Sequence, residues 1–240
     1  MEGTKMAKQQ RPGRKHVWLW RIVITLLLVV GLALTFNQQI KVFTINLLSQ
    51  NQYGSAQKLS STDIQRNKRK HANYDFKQVN ALDISTVTKA ATDKNLNPIG
   101  LLSIPSVKID LPILAGLSNE NLAVGAATMK SDQQMGKGNY ALAGHHMANK
   151  SILFSPLTKI KLGDKIYITD KQYVYTYKVT LSKTVYKTQV QYIDDVKGKK
   201  LITLVTCASS LAGEEDRHIV QGQLVSKQKA TNARLAVFSK

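Results

Sequence analysis

The hydrophobic positions divide the chain into three regions with different patterns. Residues 17–36 form an almost unbroken apolar run, which is about the length that one membrane-spanning helix needs. Residues 50–73 are polar and predict a tether that is partly helical. After Pro98 the apolar residues fall into short β-prone runs between turn residues: IGLLSIP, KIDLPIL, NYALAG, KIYITD, QYVYTYKVTL and LITLVTC. This last pattern predicts an all-β sandwich or barrel with short helices in its connections.

Two local patterns refine this division. Phe76, Val79 and Leu82 recur at helical spacing behind Asp75, a residue that can cap a helix, so we expect a helix before the first strand. Residues 165–179 alternate β-branched or aromatic residues with polar ones on both sides of an Asp-Lys pair. This alternation predicts a β-hairpin with its turn at that pair.

The apolar run has the flanks of a retained membrane anchor. Its one charge, Arg21, lies near the N-terminal end, where the side chain can reach the interface, and Trp18 and Trp20 suit the same layer. Basic residues precede the run, and the positive-inside rule then predicts a cytoplasmic N-terminus. A cleaved signal peptide shares these features, but the run ends LALTFNQQ, without a small-x-small cleavage pattern. We therefore expect a single-pass protein whose C-terminal domain lies outside the cell.

Composition and charge narrow the class of protein. The chain is 43% hydrophobic and 20% charged, which is typical of a globular protein. Its net charge of +19 is divided as +5 in residues 1–21, +5 in residues 36–95 and +9 in residues 96–240. A nucleic-acid-binding protein usually concentrates its basic residues in one arm or face. Membrane lipid and anionic wall polymers explain a diffuse basic surface equally well, so the charge alone does not decide, although the partners that we expect include no nucleic acid.

Three short segments of the β region carry candidate chemistry. ALAGHH places His145 after one strand, TLVTC ends another strand at Cys207, and Arg217 opens a further β-prone run. A thiolate is a strong nucleophile, an imidazole can exchange protons with amines, and a guanidinium can stabilise an oxyanion, so this set could support acyl transfer. Cys207 is the chain's single cysteine, so no intramolecular disulfide is possible. Strand alternation turns His146 to the face opposite His145, which indicates a structural role.

The pattern TLVTC, with an upstream A-G-H and a downstream Arg, resembles the active-site pattern of class A sortases. The order His145, Cys207, Arg217 and the separations of 62 and ten residues fit that family. The resemblance covers about residues 75–225. It implies an eight-stranded sortase-type β-barrel with short helices, preceded by one N-terminal transmembrane helix.

The same resemblance implies a domain organisation and a reaction. The domains would be a basic cytoplasmic tail (1–16), a transmembrane helix (17–36), an extracellular linker (37–73) and a catalytic domain (74–240). Cys207 would attack the Thr–Gly bond of an LPxTG-type sorting signal in a secreted protein and form a thioacyl-enzyme. His145 would protonate the leaving amine and Arg217 would bind the oxyanion or the peptide. An amine of lipid II or another peptidoglycan precursor would then take the acyl group, with hydrolysis as a side reaction.

The resemblance also suggests which residues bind the peptide. Leu122, Ala143 and Val205 match family positions that line the groove for the Leu-Pro part of the signal. Thr206, directly before the nucleophile, is expected to shape the site, and residues 183–197 correspond to a loop that closes over the substrate. These expectations rest on the resemblance.

No metal or other cofactor is expected. Some class A sortases bind calcium through carboxylates before the catalytic His and in the closing loop. Here MKSDQQMGKGN before the His contains one acid, Asp132, although Asp194 and Asp195 lie in the loop. Calcium takes about six or more oxygen ligands, so this segment predicts calcium independence.

Three other interpretations stay open. A papain-like cell-envelope peptidase would place its Cys before its His and at a helix start, which is the opposite of the order here. A pilin-joining class C sortase usually adds a lid and a C-terminal span, whereas this sequence ends NARLAVFSK. A non-catalytic, membrane-tethered β domain could bind anionic cell-wall polymers through its basic surface.

Overall fold

The computed structural model describes residues 14–76, 82, 84–93, 96–211 and 213–239. The chain forms two compact units, Met1–Ile40 and Lys41–Lys240. In the first unit, α1 spans Arg14–Thr35, and its segment Val17–Thr35 is long and apolar enough to cross a membrane. The apolar side chains of this segment are exposed, as expected of a single-pass anchor that would face lipid.

Several helices precede, connect and follow the strands of the β domain. Helix α3 has a capping box at its start, in which the Ser60 hydroxyl accepts from the Asp63 N–H while the Asp63 carboxylate accepts from the Ser60 N–H. The predicted helix after Asp75 falls largely on residues outside the described part of the chain. The α-helices after α1 are α2 (Asn37–Lys58), α3 (Ser61–Lys68), α4 (Ile84–Thr92), α5 (Asn119–Val124) and α6 (Asn232–Leu235). The 3-10 helices with described bounds include Pro105–Val107, Ser155–Lys159, Val190–Ile193 and Ala236–Phe238.

The residues that the sequence assigns to a linker (37–73) are mostly helical, and several of them pack on the barrel. From α2, Ile45 is fully buried in the main core cluster. The Tyr53 hydroxyl donates to the Phe238 carbonyl at 2.8 Å, and the α3 residue Asn67 donates to the Pro98 carbonyl at 2.9 Å. The domain boundary at residue 74 stays a prediction, but these contacts tie residues before it to the β domain.

Eight strands close into a barrel, as predicted. They are β1 (Pro98–Ile104), β2 (Ile109–Leu114), β3 (Ala126–Thr128), β4 (Asn139–Ala143), β5 (Lys165–Thr169), β6 (Tyr173–Tyr186), β7 (Leu201–Cys207) and β8 (Asp216–Lys229). Their order around the barrel is β1-β2-β3-β4-β7-β8-β6-β5. The pairs β2–β3 and β4–β7 are parallel, and the other pairs are antiparallel. Closure leaves no free sheet edge, so every strand is paired on both sides.

The predicted hairpin is confirmed as β5 and β6. These strands pair antiparallel from Lys165 opposite Lys178 to Thr169 opposite Val174. Lys171 at the turn has a φ of 65°, and its N–H donates to the Thr169 hydroxyl at 2.9 Å. The turn is therefore held by a local side-chain bond that offsets the strain of a left-handed residue.

Candidate active site

Strand register brings the three candidate catalytic residues to one end of the barrel. In the parallel pair β4–β7, Ala143 lies opposite Val205, so the chain emerging from β4 at His145 lies beside Cys207. In the antiparallel pair β7–β8, Cys207 lies directly opposite Arg217. His145, Cys207 and Arg217 line one cavity of about 520 Å³. Residues separated by 62 and ten positions along the chain thus share a site because of strand pairing.

Position 144, between β4 and His145, requires a glycine because the backbone there passes close to the ring of Phe154. A Cβ at this position would lie 2.6 Å from the ring of Phe154, which is fully buried. The Phe154 N–H also donates to the His145 carbonyl at 3.1 Å. Gly144 and Phe154 therefore fix the chain around His145 together.

The Cys207 thiol is half-buried, and its surroundings have opposing effects on its pKa. Burial raises the pKa of Cys207, the Arg217 charge lowers it, and the Glu214 charge raises it again. The Arg217 guanidinium is itself anchored, since Nη1 donates to the Glu214 carbonyl at 2.8 Å and to the Asp216 carbonyl at 3.0 Å. The fixed cation therefore favours the thiolate, but burial is the larger effect and keeps the resting thiol protonated at neutral pH.

His145 is neutral in the resting site. Burial, and secondarily the charge of Lys41, lowers the pKa of His145 to about 4. The buried Nε2 atom has no hydrogen-bond partner among the described residues. With a protonated Cys207 beside it, the pair rests as thiol and imidazole, so a proton can pass to the imidazole only as the thiol becomes a nucleophile.

The predicted groove residues lie in the same cavity. Leu122, Ala143, Val205 and Thr206 all line it, so the structure brings together every site residue that the sequence suggests. An apolar cluster of Leu117, Leu122, Ala127, Met129 and Ala141, with Ala143, Ile193 and Val205 packed against it, forms part of the wall. Thr206 is buried, and its Oγ1 lacks a hydrogen-bond partner within the described part of the chain.

The loop between β6 and β7 forms another wall and is tied to the start of β4. The Asp195 carboxylate pairs with Lys130 at 2.6 Å and accepts from the Asn139 N–H at 2.9 Å. The Asn139 amide donates to the Tyr192 carbonyl at 2.8 Å and to the Asp194 carbonyl at 3.1 Å. Lys130 and Asn139 lower the pKa of Asp195, which keeps the carboxylate ionised. The Lys130 ammonium thus lies against the loop carboxylate, in the place that a bound metal cation would otherwise take.

Several lining residues could not be assigned from the sequence. Leu117 and Met129 lie on connections that only the tertiary structure brings to the cavity, and Phe76 arrives from before the barrel. Ile219 follows Arg217 by two positions on β8, so strand alternation could have identified it. Within the described residues, no three His, Cys, Asp or Glu side chains converge as a potential metal site.

Comparisons with known proteins agree with this architecture. The family model for the sortase domain matches residues 102–225. A sortase A of Listeria monocytogenes is 38% identical over 214 residues, which cover 89% of this chain and 95% of the relative. A sortase A of Streptococcus agalactiae is 40% identical over 230 residues, covering 92% and 91%. The crystal structure of the Listeria monocytogenes sortase A matches with a TM-score of 0.57 at 43% identity, covering 60% of this chain and 98% of that one. The chain therefore belongs to the sortase family, and within it to the class A sortases, which are cysteine transpeptidases.

Proposed function

We propose that this sortase cleaves LPxTG-type sorting signals between Thr and Gly and transfers the protein to the amine of a peptidoglycan precursor such as lipid II. One observation carries the proposal. A cysteine transpeptidase needs a cysteine nucleophile, and the chain's only cysteine, Cys207, lies in one cavity with His145 and Arg217. Because the family is enzymatic, the non-catalytic wall-binding alternative is disfavoured.

The proposed roles follow from the ionisation of the three groups. Cys207 passes its proton to His145 and attacks the Thr carbonyl carbon, and the new oxyanion is stabilised by Arg217. The imidazolium of His145 then protonates the glycine nitrogen as the C–N bond breaks, leaving a thioacyl-enzyme. An incoming amine attacks the thioester while His145 accepts its proton, and the Cys207 thiolate leaves. The thiolate then takes this proton from His145, which restores the resting thiol and imidazole. No step needs a metal or an external cofactor.

The groove would bind the Leu-Pro part of the signal. Leu122, Ala143 and Val205 offer apolar surface next to the nucleophile, and the small Ala143 leaves room for a peptide beside His145. Thr206 would shape the floor next to Cys207. The β6–β7 loop, through residues such as Val190 and Ile193, would cover the bound peptide.

The anchor would place this reaction at the extracellular face of the cell membrane. Helix α1 would cross the membrane once, with the basic residues before it held in the cytoplasm. The catalytic domain would then lie outside, where secreted proteins and lipid-linked wall precursors meet. Membrane lipid is thus a partner of α1.

The test uses the full chain in detergent with an LPxTG peptide and triglycine. The expected product is the peptide cut after Thr and joined to triglycine, with a thioacyl adduct on Cys207 detected by mass spectrometry of the acid-quenched enzyme. Cys207→Ala is the matched control and should form neither. Transpeptidation that persists in Cys207→Ala, or a wild-type enzyme that never forms the adduct, would refute the proposal.

A further inference from the structure

The backbone carbonyl of Cys207 points toward β4. The Ala208 N–H donates to the Asp216 carbonyl at 3.0 Å, which makes Cys207 and Arg217 a non-hydrogen-bonded pair of the antiparallel ladder. The carbonyl of Val205, two residues earlier on the same strand, accepts from the Gly144 N–H at 3.1 Å. Carbonyls two residues apart on a strand point the same way, so the Cys207 carbonyl needs a donor from the chain that follows β4.

That donor is a side chain. In a parallel ladder, the next backbone donor after Gly144 would belong to His146, two residues on. Instead, the imidazole Nδ1 of His146 lies 2.8 Å from the Cys207 carbonyl oxygen. A carbonyl can only accept, so Nδ1 must carry the proton, which fixes the tautomer of His146. The imidazole thus extends the β4–β7 ladder by one bond, at the residue that bears the thiol.

The chain around His146 is held firmly enough for this bond to restrain the nucleophile. Before it, the His145 carbonyl accepts from the Phe154 N–H at 3.1 Å. After it, the Met147 N–H donates to the buried Ser155 hydroxyl at 2.8 Å. Both anchors belong to one short connection, so the His146 ring projects from a fixed backbone.

A second histidine lies beside this bond. His218 is buried opposite Thr206 in the β7–β8 register, and its Nε2 lies 3.3 Å from the Ser182 hydroxyl. Burial is the main cause that lowers the pKa of His218, and the nearby His146 lowers it further, whereas a bond with the Leu157 backbone raises it. A neutral His218 therefore places no charge next to His146.

We propose that His146 is a positioning residue for Cys207, whose Nδ1–H holds the last carbonyl of β7 and so fixes the thiol against His145. The inference rests on the proposed function, because it assigns His146 to the same nucleophile. Cys207 ends its strand and is followed by a loop, where a strand would otherwise fray. His146 itself forms no bond to the peptide and takes no part in proton transfer.

The test compares two substitutions in the full chain in detergent. His146→Leu keeps the bulk of the side chain and removes the donor, whereas His146→Asn keeps an N–H donor near the position of Nδ1. A misplaced nucleophile lowers kcat, and we expect His146→Leu to lose about ten- to a hundredfold in kcat with KM within about twofold of the wild type. His146→Asn should recover most of that loss. An unimpaired His146→Leu, a His146→Asn as slow as His146→Leu, or a loss carried by KM would each overturn the inference.

A second measurement needs no variant and no substrate. NMR of wild-type protein with ¹⁵N-labelled histidine distinguishes the two neutral tautomers, and the Nδ1–H form of His146 is expected. An Nε2–H tautomer would overturn the inference even if His146→Leu failed to fold. A wild-type enzyme that does not cleave the peptide would defeat the proposed function, whereas an active wild type with unimpaired His146→Leu would defeat this inference alone.

Discussion

Asp195 offers the sharpest test of the proposal that the β6–β7 loop covers the bound peptide. Its carboxylate accepts a hydrogen bond from the Asn139 N–H and pairs with Lys130. Asn139 begins β4, and Lys130 lies in the connection before that strand. The loop residues Val190 and Ile193, close to this tie in sequence, line the active-site cavity. Removing the tie should therefore let the loop open and weaken peptide binding without altering the Cys207 chemistry.

The free energy that this tie contributes follows from how exposed its two charged side chains are. The side chains of Lys130 and Asp195 are 22% and 65% exposed, so the ion pair contributes only about 0.5 kcal/mol. The hydrogen bond from the Asn139 N–H to the carboxylate contributes about 1 kcal/mol, which is less than is usual for a charged acceptor because Asp195 is largely solvated. Asp195→Ala removes both contributions, about 1.5 kcal/mol, and we expect KM to rise about tenfold. Asp195→Asn keeps an acceptor, and we expect a rise of about twofold.

The assay measures kcat and KM for an LPxTG peptide at saturating triglycine, with thermal unfolding as a control for folding. The kcat values should stay close to that of the wild type. The same assays with EDTA should give unchanged rates, because the Lys130 ammonium already neutralises the loop carboxylate. A KM for Asp195→Ala within about twofold of the wild type would refute the loop argument. A marked loss of rate in EDTA would refute the predicted calcium independence.

Two further predictions concern the thiol and the packing of α2. Iodoacetamide should alkylate Cys207 faster as pH rises through the elevated pKa of the thiol. Arg217→Gln should move this plot of alkylation rate against pH to higher pH, because it removes the charge that lowers the pKa of Cys207. A plot that stays in place or moves to lower pH would contradict the effect assigned to Arg217. Tyr53→Phe removes the buried hydrogen bond to the Phe238 carbonyl, and urea denaturation should show about 1 kcal/mol less stability with unchanged kcat. Gln57 also donates to that carbonyl, so the carbonyl keeps a partner in the variant. A loss of stability well above about 2 kcal/mol would contradict the prediction, because it would exceed what one hydrogen bond contributes.

Much of the site could be predicted because strands impose simple rules. Alternation along β7 places Val205 and Cys207 on one side, and both line the cavity. Both histidines lie beyond the end of β4 at Ala143, so strand alternation does not govern them, but only His145 lines the cavity, as the sequence predicts. The structural role expected for His146 gains a specific form, a hydrogen bond to the Cys207 carbonyl.

Other features depend on pairings that no local pattern contains. Leu117 and Met129 reach the groove wall because β2, β3 and β4 are neighbours in the barrel. The tie between Lys130 and Asp195 joins residues 65 positions apart. The polar residues before the barrel predict a tether, but helices α2 and α3 bury Ile45, Tyr53 and other residues whose partners lie far along the chain.

The apolar N-terminal helix, the β character of the domain and the three candidate catalytic residues could all be predicted from the sequence. These follow from local periodicity, from residue chemistry and from a short motif. The desolvation of His145, the anchoring of Arg217 by backbone carbonyls and the hydrogen bond from His146 to the Cys207 carbonyl could not be predicted without the fold. The reason is that burial and hydrogen bonding depend on which strands become neighbours, and in a closed barrel the parallel pair β4–β7 joins segments that are distant in sequence.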